Sequence, residues 1–201
     1  MFRTAIGAFL ILTLHATSLQ LVAQSTCPAK VESFAGEKPI LLLPKRYREG
    51  IIGAVLPDLN ADANGSGYDL EDLRRAKLMR SLQYWPILTN QSHEHLWVVR
   101  YTSFQACGPH GNCPSYVISA DSNRVHNVLK GRDSSFGTSA GGAQGVAVLP
   151  SVDTAHPELL FLSHISAFET AVGCFRWNGS GYRTASCTAE CAHFLDSPRP
   201  H

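Results

Sequence analysis

No apolar run in this 201-residue chain is long enough to cross a bilayer. The stretch from Ala5 to Leu14 is about half of the roughly 20 residues that a hydrocarbon core of about 30 Å requires. It follows Arg3 and leads through small and polar residues to Ala23, so residues 1–23 read as a signal peptide and no transmembrane anchor is expected. A lipobox is lacking too, because Gln24, Ser25 and Thr26 stand where small residues would precede Cys27. Charge of either sign is not in excess. Once Arg3 is removed, sixteen Lys and Arg face sixteen Asp and Glu, and they are interspersed. That balance argues against nucleic acid or an anionic membrane as a partner. There is no internal repeat and no complete catalytic set.

Cysteine, by contrast, is plentiful. All six cysteines (Cys27, Cys107, Cys113, Cys174, Cys187 and Cys191) follow the leader, and an even number in an exported chain predicts disulfides and a secreted or periplasmic location. The gap between Cys107 and Cys113 holds Gly108, Pro109 and Gly111 and can bend back on itself, so these two are expected to pair. The pairing of the other four stays open. Spacings C-x5-C and C-x3-C fit no common zinc pattern.

Read in order, the chain predicts one domain over 24–192 and a frayed tail over 193–201. Pro44 opens a helix with Tyr47, Ile51 and Val55 on one face, and Pro57 is expected to end it. A second helix is expected over Leu70 to Gln83, closed by Trp85-Pro86. Strands follow at His95–Tyr101, Ser115–Ser119, Val125–Leu129, Val146–Leu149 and Leu159–Ser163. Asn178-Gly-Ser-Gly then joins Phe168–Trp177 to Tyr182–Cys187 as a hairpin. The fold expected is α+β: two N-terminal helices packed on one mainly antiparallel sheet of about five to seven strands, stapled by disulfides.

Three segments bring a family to mind. C-G-P-H-G-N-C-P at 107–114, S-H-I-S-A-F-E at 163–169 and F-R-W-N-G-S-G-Y-R at 175–183 resemble a group of uncharacterised exported bacterial proteins. Those carry a CGxxGNC loop, an HGSAxE segment and a closing hairpin. Ile165 and Asn178 depart from that pattern, where the group has Gly and Asp. The resemblance implies an exported domain and no activity. The D-L-N-A-D run from Asp58 and the closing hairpin also bear a faint likeness to calcium-binding FG-GAP-type repeats.

Candidate sites divide between ligand and architecture. Asn60, Asp62, Asn64, Ser66 and Glu71 follow the alternation of an EF-hand loop, with Gly65 at its sharp turn, and calcium is the cofactor this pattern fits. A solvated loop leading to a helix capped by Asp69 is the preferred alternative. His93 and His95 would share a strand face and lack a third metal ligand. Gly137 to Gly141 matches a nucleophile-elbow string around Ser139, without the flanking strand and helix that such an elbow needs. His164, Ser166 and Glu169 lie together between two strands, and His110 and His126 are further candidate bases. The reading preferred is a non-enzymatic domain that binds a protein or glycan. The alternative is a secreted hydrolase using His164 with Ser166 or Ser139.

Overall fold

His95–Tyr101 reads H-L-W-V-V-R-Y, and every position after the first is buried. A strand covered on one side alternates inside and outside, so this one is covered on both. The computed structural model describes residues 32–33, 36–66, 74–89, 91, 93–107, 111–129, 145–149, 155–164 and 170–185. Its strands are β1 Glu32–Ser33, β2 Lys38–Pro39, β3 Leu82–Ile87, β4 His95–Tyr101, β5 Ser115–Ala120, β6 Val125–Asn127, β7 Gly145–Leu149, β8 Glu158–His164, β9 Thr170–Trp177 and β10 Tyr182–Ala185. The helices are α1 Lys45–Ser66, α2 Arg75–Ser81 and the single turn α3 Phe104–Cys107.

The expectation of two N-terminal helices on one sheet is corrected by the strand pairing. The described residues form two antiparallel five-stranded sheets, ordered β2-β3-β4-β5-β6 and β1-β7-β8-β9-β10. Trp97, Val99, Tyr116 and Ile118 on one face of the first sheet pack with Tyr47, Ile51, Val55 and Leu59 of α1. Leu96, Val98 and Val117 on its other face pack with Val146, Leu159, Phe161 and Phe175 of the second sheet. A sheet with two apolar faces needs two covers, and helix α1 supplies only one of them. The result is a sandwich with a helical layer outside one sheet.

Two helix boundaries also differ from expectation, each for a local reason. Pro57 lies inside α1. It removes the N–H that Gly53 would accept, but both residues face water, where the orphaned carbonyl is solvated. A mid-helix proline costs about 3 kcal/mol, whereas burying Ile51, Ile52, Val55 and Leu59 contributes at least roughly 6 kcal/mol. Packing therefore outweighs the proline, and the helix runs on through Asn60. The helix expected over 70–83 is the shorter α2, and Leu82–Ile87, including Trp85-Pro86, is strand β3. Pro86 is tolerated because β2 pairs with β3 only at Gln83 and Tyr84, so beyond them β3 is an edge with no donor needed.

Two close approaches set the layers. A Cβ on Gly50 would lie 2.5 Å from Val125 Cβ, so glycine lets α1 sit directly on β6. A Cβ on Gly181 would lie 2.6 Å from the Val128 carbonyl oxygen, which accepts from the Tyr182 N–H at 2.7 Å. That contact ties the end of the first sheet to β10 of the second. The expected disulfide is present: Cys107 ending α3 bonds Cys113 just before β5, with their Cα atoms 3.9 Å apart. Cys174 is disulfide-bonded as well. Cys27, Cys187 and Cys191 lie outside the described residues.

Candidate functional site

Antiparallel pairing brings the start of β4, the end of β5, the approach to β8 and the end of β9 to one end of the sandwich. Residues 88–89, 91, 93–94, 121–124 and 178–181 gather there, from both sheets. Between them is a cleft of about 620 Å³, lined among others by His93, Glu94, Asp121, Arg124, His126 and Trp177.

Glu94 forms the floor. Its Oε1 accepts from Ser119 Oγ of β5, and its Oε2 lies 2.7 Å from Nε2 of His156, which precedes β8. The Glu94 and His156 side chains are 13% and 7% exposed, so the pair lies almost entirely out of water. A carboxylate this buried is costly unless both oxygens find donors, and here they do. The His156 ring stacks on Trp177 at 3.7 Å between centroids, and Trp177 meets Tyr182 edge-on at 5.3 Å. Tyr182 donates to the Pro157 carbonyl at 2.9 Å. Burial, and after it the Glu94 carboxylate, pushes the Tyr182 phenol well above its ordinary value. One continuous polar and aromatic stack thus joins the two sheets.

The rim is built differently. Asp121 Oδ1 accepts the backbone N–H of Asn123 at 2.6 Å and of Arg124 at 2.9 Å, an Asx turn that closes β5 to β6. Those two N–H groups, that of Asn123 first, hold the Asp121 carboxyl below its usual range. The Arg124 guanidinium reaches Asp121 Oδ2 only at 3.9 Å. On the opposite rim Asn178 Oδ1 accepts from Ser180 N and Oγ, fixing the hairpin turn.

The residues picked out from sequence scatter around this cleft. His93 lines it, but His95 stacks on Trp97 and lies edge-on to Tyr47 on the helix-covered face, so the two histidines part company. His126 stands opposite Ser119 in β6 and also lines the cleft. His164 ends β8, about 20 Å along the strand from the cleft end. Asn60, Asp62, Asn64 and Ser66 fall in the last turns of α1, in helix where a loop was expected. Glu71, His110, Ser139, Ser166 and Glu169 lie outside the described residues. Among the described residues, no group of three His, Cys, Asp or Glu stands together as metal ligands, and no helix is long and apolar enough to cross a membrane. Sequence reasoning missed Glu94, Ser119, His156 and Trp177. Their partners are up to 62 positions away, and no local pattern links them.

The chain is thus a two-sheet antiparallel sandwich with a helical layer and a polar cleft at one end. No protein-family model, curated protein or solved structure matches it.

Proposed function

We propose that this is an exported, disulfide-stapled binding domain that holds a small polar ligand, such as the end of a glycan, in the cleft and leaves it chemically unchanged. The observation that carries the reading is the state of Glu94 beneath an open cleft of ligand size. Both its oxygens are engaged, by Ser119 and by His156. Its volume of about 620 Å³ falls within the usual range for small-molecule sites. Acid–base catalysis needs a base within reach of a nucleophile, and here Ser119 gives its hydrogen to the carboxylate and not to the histidine. His156, stacked on Trp177 and almost fully covered, offers a substrate little of its ring. The leader-like residues 1–23 and the Cys107–Cys113 bond support export.

The test is a ligand screen followed by NMR on the mature chain, with Trp177 identified by its Trp177→Phe variant. Bound ligands are expected to move the Trp177 indole resonance and to be recovered intact. Turnover of a bound compound that stops on His156→Ala would replace this reading with an enzymatic one.

A further inference from the structure

The donors and acceptors of the cleft are unequally engaged, and the imbalance says what would fill it. Several of its side-chain acceptor oxygens are occupied from within: both of Glu94, Oδ1 of Asp121 and Oδ1 of Asn178. Glu94 accepts from Ser119 and sits against His156 Nε2. Asp121 Oδ1 accepts two backbone N–H groups, and Asn178 Oδ1 accepts from the backbone and hydroxyl of Ser180. The donors differ. The Arg124 side chain is 70% exposed and has a carboxylate no nearer than 3.9 Å among the described residues. Asn178, its oxygen engaged, has its amide nitrogen to offer. Asp121 is the opposing charge on the rim, and its hydrogen bonds turn one oxygen back into its own turn.

We propose that the cleft selects a carboxylate-bearing ligand of sugar size. The carboxylate accepts from the Arg124 guanidinium, which matches its geometry with two parallel N–H groups, and a hydroxyl elsewhere on the ligand accepts from the Asn178 amide. Arg124 belongs to the β5–β6 turn and Asn178 to the β9–β10 turn, so the ligand as a whole spans the two sheets. The rest of the molecule lies along the half-buried Trp177. A bare inorganic anion would leave most of the 620 Å³ unfilled. The inference rests on the cleft being a ligand site.

The experiment is an NMR titration of the mature chain with D-glucuronate, with D-glucose as the uncharged analogue and inorganic phosphate as the anion without a ring. Glucuronate is expected to move the Arg124 amide, the Asn178 side-chain amide and the Trp177 indole together at millimolar concentrations, with glucose silent and phosphate weaker. Arg124→Ala should weaken glucuronate binding roughly tenfold or more, the worth of a charge-assisted hydrogen bond, while Arg80→Ala, outside the cleft, leaves it unchanged. The Arg124 side chain is mostly in water, so its variant should fold, and an unchanged melting temperature checks this. Glucose binding as well as glucuronate, or phosphate equalling it, overturns selectivity for a carboxylate but leaves the cleft a ligand site. Silence from glucuronate also overturns it. If neutral ligands from the wider screen are silent as well, the binding reading falls with it.

Discussion

At one end of the core between the sheets Glu94 meets His156; at the other, about 20 Å away along β4, Glu37 meets Arg100 at 2.6 Å. Both pairs are nearly buried, with side chains 11% and 16% exposed at the second, and each has a β5 serine nearby, Ser119 or Ser115. Only the first opens onto a cleft. The two ends differ in what surrounds the pair. Glu37 lies between β1 in one sheet and β2 in the other, and the Cys107–Cys113 bond lies between β4 and β5 at the same end. At the Glu94 end the sheets are tied by Val128 and Leu129, whose backbone pairs with Tyr182, and the turns that gather there leave space between them. The most conspicuous motif in the sequence therefore lies at the Glu37 end, far from the site.

The largest test of this contrast removes one partner at each end. Glu94→Ala and Arg100→Ala should each cost about 3 to 5 kcal/mol in urea unfolding, because each leaves a buried charged or polar partner uncompensated. Only Glu94→Ala should also abolish the response of Trp177 to ligand. Loss of that response in Arg100→Ala would break the distinction between a binding end and a structural end.

Opening the staple comes next. Cys107→Ser with Cys113→Ser should cost about 2 kcal/mol by the loop-closure argument, or about 4 to 8 °C in a domain of this size. Ligand affinity should not change, since the cleft lies at the other end. Gly181→Ala sharpens the comparison from the open side. Its Cβ would press on the Val128 carbonyl where the two sheets meet, and a loss of about 1 to 2 kcal/mol is expected, with weaker ligand binding.

The smallest effect at neutral pH concerns Tyr182. Its folded-state value is raised, so folded protein keeps the proton when the unfolded chain begins to release it near pH 10. Stability is therefore complete below about pH 10 and falls above it, by up to about 1.4 kcal/mol per pH unit. Tyr182→Phe should flatten that alkaline slope and cost about 1 kcal/mol at neutral pH through loss of the bond to Pro157. An unchanged slope would show that Tyr182 is not buried as described.

Much of the strand pattern was legible because its causes are local. The run H-L-W-V-V-R-Y is β4 to the residue, and Asn178-Gly-Ser-Gly turns β9 into β10 as its composition predicts. A short cysteine loop with two glycines and a proline closes on itself whatever surrounds it. The failures share one cause as well. Pro57 and Pro86 read as breakers, but whether a missing N–H matters depends on whether that side of the element is solvated or needs a partner, which is a tertiary fact. Gly50 is a poor helix former by its own propensity, yet it is what allows α1 to dock on Val125.

The sequence by itself determined the strands from β4 to β10, the Asn178 turn and that Cys107 meets Cys113, because each follows from a few neighbouring residues and their backbone preferences. Only the tertiary structure decided that the strands divide into two sheets and that Glu94 meets Ser119 and His156. Burial on both faces of β4 and β5 had to be satisfied by covers from distant parts of the chain. The buried carboxylate then took the donors that those covers placed beside it.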